Sequence, residues 1–450
     1  MKFKKILVLV IAVVVMTGIL ASCAGGTGGG GGAAATPTAG ETPAAAGDEA
    51  ITLRISWWGN QLRNETTLAF LDAYTELNPH VTFEAEFTDW GGYWDRLATQ
   101  AAAGNLPDII QQDYGYIAQY HARGLLANLT ELYTAGYMDV SEVPESVLTL
   151  GRFGGDLYAL CIGVNAVAIF YNIDAAEAAG VSWSERPSYQ ELMEFSAAVF
   201  DATGIRGDTP GGMGGLQMMA RDVGEFVYDV DASGNNIVGA SEATVLRFFN
   251  QIYTTINMPW SLTVEQRQDA IGVGLEADHL PTGRSWVMFP GGSNQLAAVQ
   301  AATEDRIGIN FYPRTAEFTH EAMYLRPSQF FSIASTSQHI QESARVLDFY
   351  TNDGSAQLHL MAERGVPVNP RMAEYLRPHL DPVQQTIFEY IARVTEIGTP
   401  FDPPFPNGAA EANRLLDDLV DLIRFGQMTP EVATARWIPE ANDILAVHQD

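Results

Sequence analysis

Residues 51 to 129 alternate between two hydrophobic periodicities, and this alternation restricts the chain to a small number of folds. Apolar residues occupy every second position from Ile51 to Ile55 and from Val81 to Phe87, as expected for half-buried strands. Between them, apolar residues spaced four and three apart end at Asn78-Pro79, which predicts a helix that stops there. Strands that alternate with helices form a mostly parallel sheet with right-handed crossovers.

The stretch from Asp89 to Leu129 continues this pattern with a helix, a short strand and a second helix. The first helix is predicted to end at Gly104, and the strand covers Asp108 to Gln111. In such sheets, ligands bind outside the carboxyl ends of the strands. Residues that directly follow a strand are therefore the first candidates for a binding site.

Aromatic and acidic side chains follow three of these predicted strands. Aromatic rings cover the apolar C–H faces of a sugar, and carboxylates accept hydrogen bonds from its hydroxyls. The pattern favours carbohydrate binding, although the same residue types also pack against or cap the edge of a sheet. The candidate ligand-binding residues are Trp57, Trp58, Asp89, Trp90, Asp113 and Tyr114.

Polar residues farther along the chain are further candidates. Asn165 lies where the chain is predicted to cross into a second lobe, and its amide can both donate and accept. Ser293 and Asn294 follow the turn Gly291-Gly292 at a predicted helix start, where backbone N–H groups are exposed. An ordinary turn amide and an ordinary helix cap explain these residue types equally well.

Residues 1 to 50 have the features of export and tethering segments. Three lysines precede an apolar run that is too short to span a membrane comfortably, which predicts a lipoprotein signal peptide over residues 1–23. Leu20 to Cys23 resemble the bacterial lipobox, so Cys23 is the predicted lipid attachment site; plain cleavage and an uncleaved anchor are the alternatives. Residues 24–50 predict a flexible Gly, Ala, Thr and Pro tether. The folded part is expected at the outer face of the cytoplasmic membrane.

The charge balance of the chain excludes one class of partner. All three lysines precede residue 6, so the rest of the chain carries 22 arginines against 54 acidic residues, a formal charge of −32. Such a surface repels phosphate backbones, so no nucleic acid partner is expected, and it disfavours a strongly anionic ligand. Cys161 lies in an apolar run and is expected to be a buried packing residue without a disulfide.

Several segments, in the same order along the chain, resemble the family 1 extracellular solute-binding proteins of bacterial sugar ABC transporters. The resemblance covers nearly the whole chain from Ile51 onward. Its segments are Tyr93-Trp94, Ala101 to Ile109, Tyr116-Ile117, Arg123 to Leu126, Gly155 to Leu160, Phe170 to Asn172, Ser293-Asn294 and Glu363 to Pro367.

This resemblance implies an α/β, two-lobed periplasmic-binding-protein-like fold (type II) with a ligand cleft between the lobes. The first lobe would combine residues 51–161 with 308–364, and the second 162–307 with 365–450. The protein would not be an enzyme; it would capture a sugar or oligosaccharide and deliver it to the permease subunits of an ABC transporter. Arg364, in the last matching segment, joins the ligand-binding candidates. Cys161 to Gly163 and Trp286 depart from the family pattern.

Two other functions stay open. An exported glycosidase could use Asp89 and Asp113 as its pair of carboxylates, and a polyamine-binding protein would also need acidic and aromatic residues. The chain lacks the His-Glu-x-x-His, Gly-x-Ser-x-Gly and paired-cysteine motifs, so no cofactor and no catalytic metal are expected. Asp229 to Gly234 imitate the opening of a calcium loop, but its twelfth position is Ala240, so a polar hairpin is expected instead.

Overall fold

A computed structural model of the chain describes residues 50–270 and 274–447. The predicted signal peptide, the attachment site Cys23 and all but the last residue of the predicted tether lie outside these residues. No helix within residues 50–270 and 274–447 is long and apolar enough to cross a membrane.

Strands and helices alternate through the first part of the described chain, as the hydrophobic periodicity predicts. The strands are β1 (Ile51–Trp58), β2 (Val81–Thr88), β3 (Ile109–Gln112), β4 (Arg152–Phe153), β5 (Asp156–Leu157), β6 (Leu160–Ala166), β7 (Ile169–Asn172), β8 (Tyr228–Val230), β9 (Asn236–Val238), β10 (Val287–Met288), β11 (Ile307–Asn310) and β12 (Leu325–Ile333).

The helices become more frequent toward the end of the chain. They are α1 (Gln61–Leu77), α2 (Trp90–Ala102), α3 (Tyr114–Ala122), α4 (Leu129–Thr134), α5 (Glu145–Leu148), α6 (Ile173–Ala178), α7 (Tyr189–Thr203), α8 (Gly212–Arg221), α9 (Glu242–Thr255), α10 (Val264–Asp269), α11 (Leu296–Ala301), α12 (Ile340–Asn352), α13 (Gly354–Leu360), α14 (Pro370–Leu376), α15 (Pro382–Ile397), α16 (Ala409–Arg424) and α17 (Pro430–Val447).

Two sheets organise the molecule. The larger sheet has the strand order β2-β1-β3-β12-β6, in which β1 pairs in parallel with β2 and β3, and β12 runs antiparallel to both of its neighbours. The smaller sheet has the order β10-β7-β11 and is antiparallel throughout. The prediction of a mostly parallel sheet therefore holds for β1 to β3 and fails where β12 is inserted.

The chain passes between the two sheets at two places among the described strands. Strand β6 belongs to the larger sheet through Ala166, and β7 of the smaller sheet begins at Ile169. The return connection lies between β11 and β12. The predicted lobe limits at 161/162 and 307/308 would each cut a paired strand, so the strand pairing favours crossings at 167–168 and 311–324.

The buried apolar residues form two clusters, and the first of them extends from the larger sheet to β7 and β11 of the smaller one. One cluster surrounds the larger sheet and includes Phe70 and Phe330, and the other includes Phe248 and Trp437. Trp286, which departs from the family pattern, lies in the second cluster, where its indole N–H donates to Ser196 Oγ over 3.0 Å. This bulky side chain therefore fills a core.

The second departure, Cys161 to Gly163, explains a close approach of two chain segments. Cys161 is buried and free, its thiol donates to the Gly163 carbonyl, and burial raises the pKa of the thiol to about 12. A Cβ at Gly163 would lie 2.3 Å from the Arg364 carbonyl oxygen. Next to it, Val164 and Val366 exchange two backbone hydrogen bonds of 2.9 and 3.0 Å. The glycine thus lets the turn at residues 364–366 pack directly on β6.

We expect Gly163→Ala to lower the free energy of unfolding by about 1–3 kcal/mol, because the added methyl group overpacks a backbone contact. Denaturant unfolding of the two proteins measures the loss. Gly214→Ala is the matched control: it lies in α8 with open space around its Cβ, so this change should be neutral or slightly stabilising. Equal stability of Gly163→Ala and the unchanged protein would contradict the close approach.

Candidate functional site

A cavity of about 890 Å³ opens beside the carboxyl end of β3 and receives residues from both parts of the fold. The larger sheet, α1 and the start of α3 contribute Arg63, Asp113, Tyr114, Asn165, and Arg326 to Gln329. The turn after α13 contributes Ala362 to Val366. Further walls are formed by Gln217 of α8, by Tyr324, by residues of α15, by the loop Phe401 to Phe405, and by Gly291, Gly292, Asn294, Gln295 and Ala297.

Asp113 and Tyr114 occupy the position after β3 at which the sequence predicts a site. Asp113 is the N-cap of α3, and its Oδ1 accepts a hydrogen bond of 2.9 Å from the Gly115 N–H. The Tyr114 ring lies parallel to the Phe330 ring. It also packs against Phe401, and the centroids of the Tyr114 and Phe401 rings are 5.4 Å apart. Burial raises the pKa of its hydroxyl. A half-buried aromatic face is therefore held rigidly at the cavity wall.

Two amides lie on the opposite wall near an arginine. In the register of β6 and β12, Asn165 is the partner of Arg326. The Oδ1 atom of Asn165 is buried without a hydrogen-bond partner among the described residues. Asn294 lines the cavity and is exposed, whereas its neighbour Ser293 is fully buried and accepts the Ala166 N–H with its Oγ. Ser293 thus fixes the turn that presents Asn294.

Arg364 lies beneath the cavity in a polar cluster. Its Nε donates to Gln111 Oε1 over 3.0 Å, and its two terminal nitrogens are buried without a hydrogen-bond partner in the described residues. The neighbouring Glu363 accepts two hydrogen bonds from Arg63 Nε. Burial lowers the pKa of Arg364 to about 10. Arg364 therefore supplies positive charge from below the cavity surface.

The backbone just before Arg364 is strained. Met361 and Ala362 have φ values of 48° and 55°, in the left-handed region that residues with a Cβ rarely adopt, and Gly365 has a φ of 103°. Each such non-glycine residue costs on the order of 1–3 kcal/mol, and strain of this kind is concentrated at functional sites. Here it turns the chain so that residues 362–366 line the cavity.

The loop Phe401 to Phe405 is a part of the site that the sequence analysis missed. It contains no regular secondary structure, and its two prolines (403 and 404) obscure any hydrophobic period. Its anchor is Arg221 at the end of α8, which pairs with Asp402 and donates to the Pro400 carbonyl and the Thr399 hydroxyl. Both partners of the ion pair are buried. The remaining signal in the sequence is the pair of phenylalanines that flank Asp-Pro-Pro.

Five predicted site residues do not line this cavity: the buried Ser293 and four residues near the amino-terminal end of the described chain, Trp57, Trp58, Asp89 and Trp90. Trp57 is fully buried, donates its indole N–H to Asn64 and stacks on Phe87. Strand β1 runs through Trp58, so Trp57 and Trp58 point to opposite faces of the sheet instead of following a strand end. Asp89 is the N-cap of α2. Its carboxylate accepts a hydrogen bond from the Gly92 N–H, which lowers the pKa of the carboxyl.

Trp58 and Trp90 belong instead to a cluster of rings at the start of α2, which we name the α2 aromatic cluster. Its members are Trp58, Trp90, Tyr93, Trp94 and Tyr116. Trp58 is buried by these contacts and Trp90 is 45% exposed. Trp94 is also buried, as is Tyr120 of α3.

The model of the family described as "Bacterial extracellular solute-binding protein" matches residues 69–386. This match covers well over half of the chain, so the protein belongs to the bacterial extracellular solute-binding proteins. The fold is accordingly the two-lobed fold of these binding proteins, and membership implies a location outside the cytoplasm. Membership is also consistent with a protein that binds a ligand without converting it.

Solved structures agree with this assignment. A family 1 extracellular solute-binding protein from Alicyclobacillus acidocaldarius is 26% identical, with a TM-score of 0.80 over 88% of this chain and 99% of that one. A periplasmic oligogalacturonide-binding protein from Yersinia enterocolitica is 20% identical, with a TM-score of 0.70 over 88% and 100%. The GacH receptor of Streptomyces glaucescens, solved with and without acarbose, is 16% identical, with a TM-score of 0.63 over 88% and 99%.

We expect Asp402→Asn to lower the free energy of unfolding by on the order of 3 kcal/mol, because it leaves the buried guanidinium of Arg221 without its anionic partner. Denaturant unfolding measures this loss. Glu440→Gln is the control, since Glu440 pairs with Arg436 on the exposed surface of α17 and should hardly change the unfolding midpoint. Equal effects of the two substitutions would contradict the structural role of the Arg221–Asp402 pair.

The buried carboxyl of Asp222, next to Arg221 in the sequence, should make the stability of the protein depend on pH. Its Oδ1 has no hydrogen-bond partner among the described residues, and burial raises the pKa of its carboxyl to about 6, against about 3.9 in an unfolded chain. The folded state therefore binds the proton more tightly, so the contribution of this group to stability is lost as the pH rises through 6.

We accordingly expect Asp222→Asn to be more stable than the unchanged protein above pH 6, by on the order of 2 kcal/mol, and the difference to shrink toward pH 4. Urea unfolding of both proteins between pH 4.5 and 7.5, at about constant ionic strength, gives this difference directly. A stability difference that is the same at both ends of the range would contradict the raised pKa.

Proposed function

We propose that this protein captures a sugar or oligosaccharide in the cavity beside β3 and delivers it to the permease of an ABC transporter, without chemical conversion of the ligand. The observation that carries the proposal is the combination of aromatic faces with amides that have unused hydrogen-bonding capacity. Tyr114, Phe401 and Phe405 supply the rings, and Asn165 and Asn294 supply the amides.

This combination suits a carbohydrate for a physical reason. Rings cover the axial C–H groups of a pyranose, while an amide donates to one hydroxyl and accepts from another. Phe405 is 42% exposed at the cavity, so its apolar face would be covered by a bound ligand. A volume of about 890 Å³ is large enough for more than a single monosaccharide.

The cation-binding alternative is less well supported. Three carboxylates line the cavity, which is the arrangement that a polyamine would need. However, Glu363 pairs with Arg63, and Asp402 pairs with Arg221. Only Asp113 is left without an ion pair, and it caps α3. A polyamine would therefore have to break existing ion pairs to gain its own.

The glycosidase alternative lacks its second carboxylate. It requires two carboxylates on either side of the scissile bond. Asp113 lines the cavity, whereas Asp89 is not among the lining residues and is committed to the cap of α2. Both Glu363 and Asp402 are held in ion pairs. The arrangement thus favours binding over hydrolysis.

Similar proteins support the same substrate class. The structure from Yersinia enterocolitica is named for oligogalacturonide binding, and the receptor from Streptomyces glaucescens was solved with acarbose. We extend the proposal to the cellular arrangement: a lipid on Cys23 and the tether of residues 24–50 would hold the protein at the outer face of the membrane, next to the permease. No cofactor enters this mechanism.

We expect the chain from residue 24 onward to show a higher melting temperature with its sugar, because a ligand that binds only the folded state stabilises it. Tyr114→Ala should weaken binding by about tenfold or more, which corresponds to about 1.4 kcal/mol or more. Calorimetric titration against a panel of monosaccharides, oligosaccharides and polyamines measures both the class of ligand and the loss.

Two further variants locate the site within the fold. Tyr253→Ala removes a half-exposed tyrosine from α9, away from the cavity walls, and should leave binding unchanged. Trp90→Ala tests the sequence-based prediction for the α2 aromatic cluster, and we expect it to retain binding. If Trp90→Ala abolished binding and Tyr114→Ala did not, the ligand would bind at that cluster instead. If the protein instead released shorter sugars from an oligosaccharide, it would be a glycosidase.

A further inference from the structure

Among the charged side chains that line the cavity, Asp113 and Arg326 have no ion-pair partner within the described residues, whereas Arg63, Glu363, Arg364 and Asp402 have one. Arg63 and Arg364 lie within 4 Å of Glu363, and Asp402 lies with Arg221. Arg326 lines the cavity, is exposed, and forms no ion pair within the described residues. Its single hydrogen bond is a long one of 3.3 Å to the Gly291 carbonyl.

Asp113, the lining carboxylate without an ion-pair partner in the described residues, has a different environment from Arg326. Its carboxylate accepts the Gly115 N–H at the first turn of α3, where the helix carries partial positive charge. The fold thus already compensates the negative charge of Asp113. The guanidinium of Arg326 contacts the Gly291 carbonyl, and the strand register places Asn165 beside it, and neither of these groups carries a compensating charge.

The surroundings of Arg326 have the composition of a carboxylate site. Strand register places Asn165 opposite Arg326, and the turn that carries Asn294 also supplies the carbonyl that Arg326 contacts. A guanidinium donates two parallel hydrogen bonds to a carboxylate, and neighbouring amide N–H groups can donate to its remaining lone pairs. Asn165 Oδ1, which is buried without a partner, would accept from an adjacent hydroxyl.

We propose that the ligand is an acidic oligosaccharide, one that carries uronate carboxylates, and that Arg326 binds a carboxylate of it. This inference rests on the proposed function and names the substrate class of the same cavity. The charge of −32 on the chain beyond its lysines does not prevent it. Exposed charges farther away than about 10 Å are largely screened at ~0.1 M salt, so the nearby guanidinium determines the affinity.

Paired ligands that differ only in the carboxylate test this inference. Oligogalacturonate and oligoglucuronate trimers are compared with their carboxyl-reduced counterparts by calorimetric titration, using the chain from residue 24 onward. We expect one acidic trimer to bind about tenfold or more tightly than its reduced form, and this preference to weaken as the salt concentration rises. Arg326→Gln should remove the preference and leave the affinity for the reduced form nearly unchanged.

Two variants complete the design. Arg326→Lys should keep part of the preference, since an ammonium retains the charge but not the planar pair of donors. Arg123→Gln removes another exposed arginine that forms no ion pair in the described residues, outside the cavity, and should keep the full preference. The inference would be overturned if the carboxyl-reduced trimer bound more tightly than the acidic one, or if Arg326→Gln kept the preference for the acidic trimer. Neither result would contradict the proposed function of sugar capture and delivery. If no saccharide bound at all, the proposed function itself would be wrong.

Discussion

The backbone pairing of β6 with its neighbours determines the geometry of one side of the cavity. Strand β6 binds β12 along one edge, and Val164 binds Val366 through two further backbone hydrogen bonds. The same strand therefore positions Asn165, Arg326 and the turn with Glu363 and Arg364. The register between β6 and β12 shifts around Pro327 and Gln329, as expected at a proline that lacks an N–H donor. A slip of one residue would turn Arg326 to the other face of the sheet.

Another wall depends on a buried ion pair in addition to one backbone contact. Thr399 donates its backbone N–H to the Met323 carbonyl over 2.9 Å, whereas residues 400–405 have no regular structure, and side chains anchor them. Arg221 does so by binding Asp402 and two other groups of the loop, while its guanidinium lies 4.5 Å from the centroid of the Tyr324 ring. A buried ion pair adds little net stability, but the loss of one partner is costly. The pair thus serves to specify one position of the loop.

The sequence indicates part of this arrangement and hides the rest for identifiable reasons. Asp113 and Tyr114 were predictable because a clear strand precedes a helix start, and Asn165 and Asn294 because they flank predicted chain turns. Trp57 and Trp58 were misplaced because alternation alone does not show where a strand stops, and β1 includes both. Arg326 was missed because the polar residues at 326, 328 and 329 break the apolar alternation of β12. The loop with Asp402 has no periodicity to detect.

The overall charge of the chain and the charge of its cavity follow different rules. Acidic residues exceed arginines by 32 once the lysines are set aside, and most of this excess contributes only to a screened, long-range field. Within the cavity, the fold pairs Glu363 and Asp402 with arginines and places Asp113 at a helix start, so Arg326 is the lining arginine that has no ion-pair partner among the described residues. A long-range field of this kind affects the rate of encounter with an anion more than the strength of a direct contact. The net charge of the chain therefore says little about which ligand such a cleft binds. The charges that line the cleft, and whether each is already paired, are more informative.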